Sequence, residues 1–349
     1  MRNSAWNDLV ALIDGKELDY QPVGFIIDSP WIPGWYGISN IDYYTSDELW
    51  LKSNLKASKS FPDVWFIPGF WSEYGMCTEP SAFGSRMIFP EKNLPHAEKI
   101  LSGIEGADLL PQPNVKTDGL LPFMINRLKN SQKTILKADH QIKFAIARGP
   151  LNIASFLMGA TEFMTALALD PDESHDLLKK ITDFVCDWLA WQKECFPSID
   201  GVLILDDIIG FVGDIEFREF VLPYFKRIFE STGVKVRFLH NDAEGLITAR
   251  YLKEMGVNMF NFSFNHSMGE IRDLAGPEVV LVGNIPPRDV LAAGTPEQVD
   301  SAVRKAFGEV PDHDRIVWSI GGGMPPGVRD ININTFINAV KKNSTQTIH

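Results

Sequence analysis

The sequence predicts an α/β fold, a (β/α)8 barrel with an N-terminal helix and an irregular excursion over its mouth. Three observations carry this. Eight short, nearly all-apolar runs are spread through the 349 residues, as strands buried on both faces read. Segments with helical apolar spacing separate them, and no internal repeat or linker divides residues 1–349, which read as one domain. No Gly-rich phosphate loop follows the first run, which weakens the alternative of an open doubly wound sheet.

Taken in order, residues 5–14 form an amphipathic helix with Trp6, Leu9, Val10 and Ile13 on one face. Val23 to Ile27 is the first strand and ends on Asp28-Ser29-Pro30. Ser46 caps a helix running to about Lys59, with Glu48 in its first turn. Trp65 to Ile67 is the second strand. Residues 70–119 have many breakers and little periodicity, too long for a βα loop, so they are expected to cross the mouth as a lid. Leu120 to Leu136 is helical, and Gln141 to Ala147 is a third strand closing on Arg148-Gly149-Pro150. Two helices follow: Leu151 to Ala168, broken at Gly159-Ala160, and Asp172 to Cys195, with Asp170 as cap and Pro171 at its first position. Val202 to Leu205 and Val234 to Leu239 are strands four and five around a helix from Ile215 to Glu230. Asn258 to Phe264, Val279 to Ile285 and Arg315 to Ile320 complete the eight. Helices from Gly245 to Met255, Met268 to Leu274 and Pro296 to Phe307 lie between them, and Asp330 to Lys342 is the last helix.

A net charge of -12 with no basic cluster argues against nucleic acid and anionic membrane surfaces. No apolar run approaches the roughly 18 residues of a membrane span, and Met1 to Asp8 has no signal-peptide core. Cys77, Cys186 and Cys195 cannot all pair and match no zinc-finger spacing. The expectation is a cytoplasmic protein with reduced thiols.

The chemistry concentrates at two strand ends. The fourth strand stops at Asp206-Asp207, and the fifth at His240-Asn241-Asp242. In a parallel sheet the carboxyl ends of successive strands share one side, so Asp206, Asp207, His240 and Asp242 are expected at one mouth. Buried acids and imidazoles are costly unless paired, which favours a site there. Simpler roles compete: Asp206 as a helix cap, Glu219 as a surface helix residue, His240 as a hydrogen-bonded core histidine, and the tryptophans of residues 31–71 as core packing. His140 reads as structural or exposed. His266 lies just beyond strand six, within reach of the mouth.

Several segments resemble the uroporphyrinogen decarboxylase superfamily. Val282-Gly283-Asn284-Ile285 with Val290-Leu291 and Gly294-Thr295-Pro296-Glu297-Gln298-Val299 is similar to its strand-seven and helix-seven signature. So is Gly321-Gly322-Gly323-Met324-Pro325-Pro326-Gly327. Gly149-Pro150 with Phe156 and Gly159 resembles its third-strand segment, and Phe217-Arg218-Glu219-Phe220 with Pro223-Tyr224 its fourth helix. The superfamily contains decarboxylases, which grip porphyrinogen carboxylates with an arginine-rich N-terminal motif, and corrinoid-dependent methyltransferases. Here Asp28 to Gly37 contains no arginine. Trp31 to Tyr36 and Phe61 to Tyr74 instead resemble the methyltransferase component of O-demethylases that act on vanillate- or veratrol-type methyl ethers.

That resemblance implies a methyl group moved from a methoxylated aromatic to cob(I)alamin on a separate corrinoid protein, with zinc as Lewis acid on the ether oxygen. The thiol-methylating branch holds zinc with His-x-Cys and a later cysteine; here those positions read His240-Asn241-Asp242 and Gly321-Gly322-Gly323, so that set is absent. The ether-cleaving pattern of Glu, fourteen residues, Glu, twenty residues, His is met by Glu219 and His240, but its first position is Ile204. Asp206 or Asp207, two or three residues on, can stand in. The implied metal set is therefore Glu219, His240 and Asp207, with Asp206, Asp207 and His240 as the catalytic residues. Trp31, Trp35 and Tyr36 would stack on the substrate ring. Asp206, Asp242 or Asn284 would hydrogen-bond the ligands or a phenol oxygen. A homodimer is compatible with a barrel of this size. The alternatives are a decarboxylase of a tetrapyrrole-like acid and a non-catalytic small-molecule or corrinoid-binding barrel.

Overall fold

The structure is a computed structural model that describes residues 1–91, 93–310 and 312–346. Eight strands form one parallel sheet: β1 (Val23–Ile26), β2 (Val64–Ile67), β3 (Phe144–Arg148), β4 (Gly201–Leu205), β5 (Val236–Asn241), β6 (Met259–Phe262), β7 (Val280–Ile285) and β8 (Ile316–Ile320). Their order is β2-β1-β8-β7-β6-β5-β4-β3. This is the predicted α/β barrel arrangement, curled with helices around it. Among the described residues no ladder joins β2 to β3, which leaves a seam there.

Burial on both faces explains why the strands are mostly apolar. Trp65, Phe144, Leu203, Phe238 and Val282 face one another inside the barrel, while Phe25, Phe66, Val202 and Leu239 pack outward under the helices. The helix Asn3–Ile13 closes the amino-terminal end, its Trp6 ring edge-on to Phe144 with centroids 5.4 Å apart. Its buried stripe is Ala5, Trp6, Leu9 and Leu12, with Val10 and Ile13 at the margin of the predicted face.

The seam has a specific chemistry. In a parallel strand the amides of alternate residues point to opposite neighbours, so the β3 edge facing β2 carries groups with no strand partner. Gln192, buried on the helix Pro171–Cys195, supplies a carboxamide that imitates one. Its Oε1 accepts from the Ile146 amide at 3.0 Å, and its Nε2 donates to the Ile146 carbonyl at 2.8 Å. One turn of strand on, the Arg148 amide donates to Glu79 Oε1 at 3.0 Å. The substitution Gln192→Leu would leave both Ile146 groups buried and unpaired. It is expected to cost roughly 2–5 kcal/mol, measured by denaturant unfolding; a change below about 0.5 kcal/mol, within the surface-substitution range, would show that the seam relaxes instead.

The excursion differs from a lid laid loosely across the mouth. It forms short helical turns, Gly75–Cys77, Thr78–Ala82 and Ile104–Leu109, and a two-stranded ladder of Met87–Ile88 with His96–Ala97. Its start enters the barrel: Trp71 belongs to the interior cluster, and Glu73 and Glu79 are buried beside β3. Ser46 caps the helix Asp47–Ser60 as expected, accepting from the Leu49 amide. Asp170 is the N-cap of Pro171–Cys195 by position but makes no side-chain cap bond. The break at Gly159 is a sharp one. Its φ of 107° lies in the left-handed region, and the helices Pro150–Met158 and Ala160–Leu169 meet at 111°. Among the described residues no single helix is long and apolar enough to cross a membrane. The segment predicted as one helix from Ile215 to Glu230 is Asp214–Glu216, a π turn over Phe217–Val221, and Leu222–Thr232.

Candidate functional site

His240 is the penultimate residue of β5 and faces the barrel interior, two residues on from Phe238. Its ladder partner on β6 is Asn261. The Asn261 amide nitrogen donates to the carbonyls of Val282 at 2.7 Å and Ile320 at 3.1 Å. Its oxygen therefore faces His240 Nδ1, 2.7 Å away, and that nitrogen must carry the proton. Nε2 is left with its lone pair toward the mouth. There it meets Asp207 Oδ1 at 3.7 Å and Asp242 Oδ2 at 3.9 Å. Asp207 is tied to the same loop through its Oδ1, which accepts from the Asp242 amide at 3.1 Å.

Asp207, His240 and Asp242 can each offer one ligand atom, all within 4.8 Å of one another. Tetrahedral ligands about 2.05 Å from zinc stand about 3.3 Å apart, so a small inward movement would close this group on an ion. The imidazole is buried, whereas both carboxylates keep about two-fifths of their exposure. Such a set has three protein donors and an approach from solvent. Burial at the mouth and the neighbouring Asp207 push the Asp242 carboxyl above its ordinary range, with His240 pulling the other way. Among the described residues neither acid forms an ion pair with an arginine or lysine, although Arg288 and Arg148 act on them from a distance, and a divalent ion would relieve their crowding on one imidazole.

The family model described as "Uroporphyrinogen decarboxylase (URO-D)" matches residues 10–343. The chain belongs to the uroporphyrinogen decarboxylase family. Relatives include the uroporphyrinogen decarboxylase of Pseudomonas syringae pv. tomato, 25% identical over 280 residues and 77% of each chain. That of Chlorobaculum tepidum is 27% identical over 187 residues, 51% of each chain. A solved structure of a methyltransferase from Methanosarcina mazei has the same fold, with a TM-score of 0.80 at 18% identity, over 96% of this chain and 97% of that one.

Within this URO-D fold the predicted residues separate. Asp207, His240 and Asp242 converge, as the strand-end argument required. Asn284 faces the interior from β7, and its amide donates to the His266 carbonyl. The Gly321–Gly323 loop does reach the group: a Cβ on Gly322 would lie 2.7 Å from Asp242 Oδ2. Asp206 turns the other way. It is fully buried and accepts from the amides of Leu151 and Asn152 at 3.0 Å and Ile208 at 3.1 Å, holding the start of Pro150–Met158. Gly149 makes room, since a Cβ there would lie 2.4 Å from Asp206 Oδ2. Burial, the largest influence, pushes the Asp206 carboxyl up to about 8 against the lowering effect of those three amides.

Two expectations need correction. Glu219 is not brought to the metal group; it sits half-exposed on the π turn, 3.6 Å from His175 Nε2. A strand-end pattern cannot fix which way a residue fourteen positions beyond the strand will face. Trp31, Trp35 and Tyr36 are not at the mouth either. Trp31 packs on Phe61 and Phe66 outside the barrel wall and donates to the Val328 carbonyl at 3.1 Å. Trp35 donates to Asp330 Oδ1 at 2.6 Å, and Lys56 lies over the rings of Trp35 and Tyr36. The aromatic segment follows β1 into a helix on the outer layer, so its rings serve packing. His140 is structural, its Nε2 2.8 Å from Ser58 Oγ. His266 is buried at the rim, accepting from the Gly245 amide at 3.1 Å.

Sequence reasoning missed Asn261 and Arg148. The signal for Asn261 was available: a polar residue inside the buried run Met259-Phe260-Asn261-Phe262 needs partners. Replacing it with leucine would free the imidazole to turn and change tautomer. Asn261→Leu is expected to weaken zinc binding about 10–100-fold in competition with a chromophoric chelator; unchanged affinity would show that the ring is held by other contacts.

Proposed function

We propose that this chain is the methyltransferase component of an O-demethylase system. It moves a methyl group from a methoxylated aromatic to cob(I)alamin on a separate corrinoid protein, with zinc at the mouth. The observation that carries this is the His240 group. The Asn261 contact places a proton on Nδ1, so in the neutral imidazole the Nε2 lone pair is aimed between two half-exposed carboxylates at the carboxyl end of the barrel strands. Nitrogen and oxygen donors with an open position suit catalytic zinc, and Asp207, His240 and Asp242 are the residues that would hold it. When bound, zinc supplies Lewis acidity to the ether oxygen as the phenolate departs. The chain's own part is to fix the imidazole tautomer through Asn261, to keep Asp207 oriented through the Asp242 amide, and to leave the site open to a corrin face.

The family's name favours a decarboxylase as the second reading. Against it, Asp28 to Gly37 holds no arginine, and the buried Arg148 is already paired with Glu73. Of the cations near the mouth, only Arg288, which acts on Asp242, is without an ion pair among the described residues, too little for a polyanionic substrate.

The test combines metal analysis and transfer. Purified protein should carry near-stoichiometric zinc and, with reduced cobalamin, form methylcobalamin from veratrol, guaiacol or vanillate. Release of carbon dioxide from a porphyrinogen with no methyl transfer would move the second reading to the front.

A further inference from the structure

Across the mouth from His240 lies a second cluster that the metal group does not use. Asp28 follows β1, Glu73 and Glu79 come from the start of the excursion, and Arg148 ends β3; all four are more than nine-tenths buried. Arg148 pairs with Glu73 and lies over the Trp71 ring. The Asp28 carboxyl faces Glu73, and Ser29 donates to its Oδ2 at 3.1 Å. Arg148 is in register with Leu205, and Leu205 with His240, so the Arg148 end of the cluster stands two strands from the metal group on the same mouth.

The charges do not balance. Three carboxylates share one guanidinium, and ionised together they would leave a net charge of about −2 in a buried space, which proteins avoid by holding protons. Several polar atoms there have no partner: Asp28 Oδ1, Glu79 Oε2, Arg148 Nε and the hydroxyl of the buried Tyr44. Tyr44 stands close enough to feel both Asp28 and Glu73. Unpaired buried atoms converging on an acid pair point to a missing proton and a polar group that meets it.

We propose that Asp28 and Glu73 share one proton, balanced by Arg148, and that this pair is the proton source for the mouth. This rests on the methyl-transfer reading above. When the methyl group passes to its nucleophilic acceptor, the carbon–oxygen bond breaks and its electron pair stays on oxygen. The shared proton then forms the new O–H bond. The pair is left with one more negative charge beside Arg148 and takes a proton back from solvent. The environment is consistent: burial pushes both carboxyls upward, opposed chiefly by Arg148 for Glu73 and by the Ser29 amide and Arg148 for Asp28. The groups facing the pair are Ser29, Tyr43 and Tyr44 from the β1 side, Cys77 and Glu79 from the excursion, and Arg148 from β3.

The test is infrared difference spectroscopy on the full-length protein, with turnover measured alongside. Asp206, whose buried carboxyl is also pushed up to about 8, gives a protonated-carboxyl band of its own at neutral pH, so the spectra are compared in the Asp206→Asn background. A protonated-carboxyl stretch that shifts in deuterium oxide should remain there. It should vanish when Asp28→Asn or Glu73→Gln is added, because either partner left alone beside Arg148 ionises. No exchangeable band in Asp206→Asn, or one that survives both added substitutions, overturns the proposal. If Asp206→Asn fails to fold, the same loss is read as the difference between wild type and each single variant, and the absence of any difference overturns the proposal. With a methoxyaromatic donor, turnover should drop about 10²–10⁴-fold in either variant and lose its decline at high pH. If no donor is turned over by any form, the methyl-transfer reading fails while the infrared result still decides the pair.

Discussion

His240→Ala is expected to retain no zinc on gel filtration under conditions where, on the proposed assignment, the wild type keeps it, and to lose the proposed methyl transfer with it. The imidazole is the central donor: both carboxylates are placed by their distances to Nε2, 3.7 and 3.9 Å. Without it, Asp207 and Asp242 are two half-exposed acids that repel each other, a weak site for zinc. A Lewis acid worth several kcal/mol corresponds to a rate loss of about 10² or more. The substitution also leaves Asn261 Oδ1 buried without a donor, at about 1–3 kcal/mol, so His240→Gln, which can restore that hydrogen bond, separates folding from metal loss. Wild-type protein that retains no zinc after reconstitution would sink the ligand assignment.

Asp206 should dominate stability rather than chemistry. Asp206→Ala would strand the Leu151 and Asn152 amides at a buried helix start and the Ile208 amide in the turn after β4, and a loss of roughly 3–5 kcal/mol is expected. The pH dependence is the sharper measurement. With its folded carboxyl pushed up to about 8 against an ordinary value of about 3.9, the folded state holds this proton more tightly than the unfolded state. Its contribution is then fully present below about pH 4 and is lost as pH rises toward 8, at no more than about 1.4 kcal/mol per pH unit. Asp206→Asn cannot titrate. The stability of wild type relative to that variant should fall between pH 4 and 8 and be level above. Asp28, Glu73 and Glu79 are common to both proteins and cancel. A difference independent of pH would mean that the three amides keep Asp206 ionised despite its burial.

The strands were the most legible part of the fold. A run such as Val202-Leu203-Ile204-Leu205 is apolar on both faces because one face meets the barrel interior and the other the helices. Helix starts with a side-chain cap, such as Ser46, were legible for an equally local reason. The aromatic segment of residues 31–36 misled because a ring that stacks on substrate and a ring that packs on a barrel wall have the same composition. Glu219 misled because its spacing to His240 is a property of the chain, whereas its direction depends on a π turn.

The sequence by itself determined that carboxylates and an imidazole stand at the ends of neighbouring strands, and parallel topology then requires one common mouth. Which of two adjacent acids enters that mouth was decided only by the tertiary structure. Asp206 and Asp207 are one residue apart, yet one holds a helix start and the other faces His240. Alternation fixes the two faces of a strand, but beyond the last ladder bond the direction of a side chain is set by whatever packs against it. The same holds for Asn261, which meets His240 through the register of β5 on β6, and for Arg148, which meets Glu73 across 75 residues of chain. Contacts of that range follow from how the whole sheet curls and where its seam falls, and no local pattern records them.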